Sequence, residues 1–164
     1  MKTVDTAIFI STIVAALGSG LIAGVFFAFS TSVMNALGRL PPAEGMAAMQ
    51  WINIVIINPL FLGVFLGAAA ICAGLTILSF VRWEKGAAFL LAGAVFYLVG
   101  SLAVTMVLNV PLNNALAAAT PTGPQSSDLW KNYLANWTFW NHVRTAASLA
   151  SSAAFTVGLI YLAK

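Results

Sequence analysis

The residues best equipped for chemistry sit together late in the chain, in the stretch ANWTFWNHVRTAASLA at 135–150. His142 is the sole histidine, Asn141 precedes it, and Arg144 lies two positions further on. An imidazole with a near-neutral pKa accepts a proton, a guanidinium stabilises an oxygen anion, and carboxamides orient both. That set suits removal of a proton from a weakly acidic C–H or phenol. A carbanion made this way from an electron-rich aromatic reacts with oxygen without a cofactor. His142 is the candidate base and Arg144 the candidate anion stabiliser. Asn53, Asn58, Asn109, Asn113 and Asn141 are the candidate orienting groups. On this reading His142→Ala abolishes turnover and leaves the fold intact. The structural alternative has Arg144 reaching to a membrane interface and His142 hydrogen-bonding to a neighbouring helix.

Other chemistries find little support in the residue types. One histidine, one cysteine (Cys72, in an apolar run) and four acids (Asp5, Glu44, Glu84 and Asp128) give no ligand cluster at metal spacing, so no metal is assigned. Haem with His142 as axial ligand and Met34 or Met106 as a second is conceivable, but packing explains both methionines. The cofactor is left unknown. No phosphate loop, dinucleotide fingerprint, zinc-protease signature or nucleophile elbow occurs.

The elements that must position these residues follow from composition. The chain has 164 residues, 61% hydrophobic and 7% charged, against about 25% charged in a soluble domain. Its mean hydropathy is +0.97, so lipid is the expected solvent. The seven basic residues are scattered singly, which argues against a nucleic-acid partner. Four apolar stretches are predicted to be transmembrane helices, at about 7–33, 52–81, 87–110 and 138–162, each long enough for the about 30 Å of hydrocarbon. The expected fold is an all-α integral membrane four-helix bundle, one four-span domain over 1–164. Residues 35–50 and 82–86 are loops, and 111–137 is an outer loop with short helices. The first stretch is read as a retained span, with a cleaved signal as the alternative. Lysines and arginines near the span ends lead to the expectation that both termini are cytoplasmic. The expected location is a bacterial inner or plasma membrane.

Depth then gathers the polar residues. Ser30, Thr31, Ser32 and Asn35 close the first helix at the outer end, Asn53 and Asn58 lie in the outer part of the second, and Asn109 ends the third. Asn113 and Asn114 follow Pro111, and Asn141, His142 and Arg144 enter the fourth from the same side. Polar groups at that depth are expected to face the bundle interior or a wet cavity. Asn141, Thr145, Ser148 and Ser152 recur at helical steps and form a semi-polar stripe on the fourth helix, while the inner halves look almost wholly apolar. Pro59 is expected to kink the second helix. Trp130, Tyr133, Trp137 and Trp140 read as an aromatic belt at the interface, with substrate stacking by Trp137 and Trp140 as the functional alternative.

The segments GVFFAFSTSVMNALGRL, MQWINIVIINPLF, NVPLNNALA and WTFWNHVRTAASLAS together resemble a family of integral membrane proteins that includes the fungal anthrone oxygenases. The resemblance runs from Gly24 through Ser152 and keeps order and spacing. It implies a four-helix membrane protein and, for the fungal relatives, oxidation of an anthrone to an anthraquinone with oxygen. Its recurring positions fall on Asn53, Asn58, Pro59, Asn109, Pro111, Asn113, Asn141, His142 and Arg144. The expected function is a membrane-embedded oxidoreductase or oxygenase acting on a small lipophilic aromatic or quinone-like molecule. Its partners would be the bilayer, that molecule, and a second copy or another membrane protein. The rivals are a small transporter and a non-catalytic subunit or assembly protein. Small-residue repeats, Ala16-Gly20-Gly24-Ala28 and Gly63-Gly67, supply helix-packing faces for either.

Overall fold

The computed structural model describes residues 3–163, without the side chains of residues 3–5. Lys2 and Lys164, two of the charges used for orientation, lie outside the described residues, as does the side chain of Asp5. Among the described residues there are helices joined by turns, bends and short irregular stretches, and no strand. In lipid the helix satisfies every backbone N–H and C=O within its own segment. Four helices are long and apolar enough to cross a membrane: Thr6–Leu37, Pro59–Val81, Ala87–Ala117 and Ser126–Leu162. The protein is integral to the membrane.

The first span comprises α1 (Thr3–Ala28), a π-helical turn (Phe29–Val33) and α2 (Met34–Leu37). The second is α4 (Pro59–Val81). The third runs from α5 (Ala87–Val95) through π-helical segments at Phe96–Ala103 and Thr105–Asn109 into α6 (Val110–Ala117), and the fourth is α7 (Ser126–Leu162). α7 packs along α1 and the third span, and α4 completes the ring against α1 and α5. Gly86 takes φ +90° in the tight α4–α5 turn, a left-handed conformation that suits glycine.

The four-helix expectation needs correction, because a fifth helix, α3 (Pro42–Val55), occupies most of the stretch expected to be a loop. Pro42 sits in its first turn, where its missing N–H costs nothing, and Glu44 there meets the positive end of the helix dipole. Its buried side is Gly45, Met46 and Met49. Small alanines between them obscure the apolar period. Pro59 also acts differently from expectation. It opens α4 instead of kinking a continuous helix, and Asn58 caps it by accepting from the Phe61 N–H at 3.0 Å. Asn53 therefore belongs to α3 and not to the second span.

α7 has 37 residues, about 55 Å at 1.5 Å per residue, so its first turns extend past a 30 Å hydrocarbon layer. They meet α2, α3 and α6 in a cap at one end of the bundle. The core accordingly has two parts. The bundle core includes Ile22, Phe26, Phe65, Cys72, Leu75, Tyr97 and Phe155. The cap core comprises Met34, Leu37, Met46, Met49, Leu116, Trp130, Tyr133 and Trp137. This overturns the aromatic-belt expectation for three residues: Trp130, Tyr133 and Trp137 are only 2%, 2% and 5% exposed. Trp130 stacks on Tyr133 and Tyr133 on Trp137, with ring centroids 5.7 and 6.0 Å apart. Their helical spacing gives α7 one aromatic face, and α3 and α6 cover it.

Candidate functional site

Arg144 lies where the two cores meet. Its guanidinium carbon is 4.2 Å from the Phe26 ring of the bundle core and 5.0 Å from the Trp137 ring of the cap core. Long side chains on a helix lean toward its N-terminus, which carries the Arg144 head back over Trp137 two turns earlier. The residue is 5% exposed, so it does not reach out to the membrane interface.

Neutral groups hold the guanidinium. Nη2 donates to Asn141 Oδ1 at 2.6 Å, and Nη1 donates to Thr105 Oγ1 at 3.3 Å. Asn141 is fixed in turn, since its Nδ2 donates to the Phe26 carbonyl and to Ser30 Oγ, both at 2.6 Å. The Phe26 carbonyl can only accept, so it requires the NH₂ side of the amide and turns Oδ1 toward the arginine. Asn109 is completely buried, and its Nδ2 donates to the Trp137 backbone carbonyl at 3.1 Å. Ser30, Thr105 and Asn109 all lie in the π-helical stretches of the first and third spans. Such wide turns recur at functional sites, and here they supply polar partners to α7 from two sides.

The electrostatics of the cluster are unbalanced. Among the described residues the ion pairs are Arg82–Glu84 at 2.9 Å and Lys131–Asp128 at 3.9 Å, and no carboxylate pairs with Arg144. Glu44 is exposed on α3. Taking a cation out of water costs several kcal/mol. Hydrogen bonds to a charged group return about 1.5–3 kcal/mol each, and a desolvated cation–π contact about 2 kcal/mol. Dipoles and rings thus hold the charge in place without neutralising it. A buried, unneutralised cation between membrane helices is a ready site for an anion.

Of the residues singled out from the sequence, Asn109, Trp137, Asn141 and Arg144 come together. Asn53 and Asn113 lie one layer toward the cap, joined through Tyr133. The Tyr133 hydroxyl donates to Asn113 Oδ1 at 2.8 Å and accepts from Asn53 Nδ2 at 3.4 Å. Asn58 stands apart as the α4 cap. Trp140 is half-buried, edge-on to Phe139 with centroids 5.0 Å apart. The structure does not bring His142 into the cluster. It is exposed, because two helical steps turn it about 200° from Arg144 on α7. The expectation that His142 faces the bundle interior or a wet cavity with Asn141 and Arg144 is corrected on that ground, since Asn141 is buried and His142 is not.

Phe26, Ser30, Thr105 and Tyr133 were not read as partners of Arg144 and the asparagines. Their signal in the sequence is a four-residue spacing, Phe26–Ser30 and Thr105–Asn109, on the two helices flanking α7. The bundle interior is also more polar than expected. Ser148 shares a hydrogen bond with Ser101 at 3.0 Å, Ser151 with Ser19 at 3.2 Å, and Ser152 donates to the Ala16 carbonyl at 2.9 Å. These hydroxyls extend the stripe of α7 away from Arg144 and join it to both neighbouring spans.

A shallow open groove runs between α1 and α7 on the outside of the bundle, with Gly20, Gly24 and Ser152 among its small residues and Phe27 and Leu149 beside them. Phe27 adjoins Phe26, the residue under the guanidinium. A family model described as anthrone oxygenase matches residues 60–154. That segment carries Asn109, Trp137, Asn141 and Arg144. No curated protein and no solved structure matches.

Proposed function

The chain belongs to the anthrone oxygenase family, and on that premise we propose that it oxidises a lipophilic anthrone or a related aromatic ketone with molecular oxygen at the Arg144 cluster. In the balanced reaction the central CH₂ of the anthrone becomes a carbonyl. One atom of O₂ enters the product, and the other leaves with two hydrogens as water. The reactive form is the anion made when the CH₂, or the enol hydroxyl, loses a proton to water. That proton and the second hydrogen of the CH₂ leave with the reduced oxygen atom as water. A cation in a site of low dielectric favours that anion over the neutral ketone.

The observation carrying this reading is the buried Arg144 with no carboxylate paired to it among the described residues. Phe26 and Trp137 supply aromatic walls to the guanidinium, a setting suited to a flat, delocalised anion. Asn141 and Thr105 hold the charge in position before the ligand arrives, so little reorganisation accompanies ionisation. The α1–α7 groove offers a lipophilic ligand a way in from the bilayer.

The test uses detergent-purified protein, an anthrone and ¹⁸O₂. The expected product is anthraquinone carrying one ¹⁸O atom beside the original unlabelled oxygen, formed well above the protein-free autoxidation rate. Product formation at the protein-free rate would rule the activity out.

A further inference from the structure

Three buried polar atoms of the cluster make no hydrogen bond within the protein: Arg144 Nε, Trp137 Nε1 and Asn109 Oδ1. They belong to side chains already in mutual contact. Arg144 packs over the Trp137 ring, and Asn109 donates to the Trp137 carbonyl at 3.1 Å. Two of the three atoms are donors and one is an acceptor. The acceptor's identity is fixed by chemistry, since a backbone carbonyl can only accept, so the NH₂ of Asn109 must face Trp137 and Oδ1 must point elsewhere. A buried polar atom left unpaired costs about 1–3 kcal/mol. Among the described residues two other buried side-chain atoms, Ser79 Oγ and Trp130 Nε1, are also unpaired, but each belongs to a different part of the fold. Three within one contact group point to a ligand with the opposite pattern.

We infer that Asn109 is a specificity-determining residue that accepts a hydrogen bond from a ligand hydroxyl, while Arg144 Nε and Trp137 Nε1 donate to the ligand's anionic or carbonyl oxygen. The ligand class is a planar aromatic ketone or phenol with one oxygen that carries charge and a separate hydroxyl free to donate. A hydroxyl adjacent to the ketone does not qualify, because its hydrogen is already held internally. The hydroxyl belongs on an outer ring at a position remote from the carbonyl. This inference rests on the proposed oxygenation and adds to it a preference among substrates.

The experiment compares unsubstituted anthrone with anthrones bearing one hydroxyl at each remote outer-ring position. Values of kcat/KM are corrected for protein-free oxidation. The unaltered protein should prefer at least one hydroxylated compound by about tenfold, the worth of one buried hydrogen bond. Asn109→Leu, close in volume, should bring that ratio to within about twofold of unity, whatever it does to absolute rates. Trp137→Phe keeps the ring and removes the donor. It should lower both rates together and leave the ratio intact.

No preference in the unaltered protein, or a preference that survives Asn109→Leu, overturns the inference and leaves the oxygenase reading standing. If Asn109→Leu does not fold, Asn109→Ala, which also lacks the acceptor and adds no bulk, is read in its place by the same ratio. Failure to oxidise any anthrone above the protein-free rate removes the oxygenase reading, and this inference with it.

Discussion

Arg144→Gln is expected to lower kcat/KM toward an anthrone by about 10²–10³-fold, the usual cost of losing a preorganised group aimed at a developing oxyanion. Glutamine keeps a donor near Asn141 and Thr105 but carries no charge. Arg144→Lys keeps the charge and loses the planar head that lies between Phe26 and Trp137, so it should fall between the two. Stability separates function from architecture. The buried guanidinium has no carboxylate partner to leave stranded, so removing its charge should leave the unfolding temperature unchanged or raised. A purely structural arginine would show the reverse, with activity falling only as far as the folded fraction falls. His142→Ala is the companion experiment. The side chain is exposed and turned away from the cluster, so this variant should keep roughly the parent activity, contrary to the role that its position beside Asn141 suggests.

The second large effect is on stability. A Cβ built on Gly100 would lie 2.4 Å from the Ala147 Cβ, where the third span's π-helical segment meets α7. A Cβ has no rotamer to escape into, so the two helices themselves must part. Gly100→Ala should cost about 1–3 kcal/mol and disturb the serine contacts beside it, Ser101 with Ser148. Gly24→Ala and Gly67→Ala are the controls. Neither glycine has a neighbouring atom within 4 Å of the added carbon, so each should change stability by less than about 0.5 kcal/mol. Cys72, buried in the bundle core, provides the measurement. Its reactivity toward a thiol dye during a thermal ramp in detergent reports opening of the helices.

Much of the fold was legible because lipid imposes a simple rule. Runs of about twenty apolar residues must become helices, and all four did. The cap was harder to see. α3 hides its period behind alanines, and Asn58-Pro59 reads as a kink in one long helix as readily as a cap between two. The aromatic face of α7 matched the pattern of an interfacial belt. Only the presence of α3 and α6 over it makes it a core.

At the site, depth alone gathered Asn109, Asn141 and Arg144 at one end of the bundle. Direction around the helix then divided them from His142, although the two stand side by side in the chain. A rotation of about 100° per residue tells which neighbours share a face, but only packing tells which face is inward. The π-helical turns left no mark in the sequence. They set which of Ser30, Thr105 and Asn109 reach α7, because a wide turn shifts the rotational register of everything after it.

The central claim is that Arg144 holds an anion, and the ionisation state of a bound anthrone tests it most directly. An anthrolate is conjugated through all three rings and absorbs at longer wavelength than its ketone, so an absorption spectrum of the complex under strict anaerobiosis reports the form bound. The expected result is an anthrolate band with the unaltered protein, at a pH where free anthrone shows only the ketone, and loss of that band in Arg144→Gln. A ketone spectrum in the unaltered protein, or an anthrolate band of equal strength in Arg144→Gln, would contradict the account.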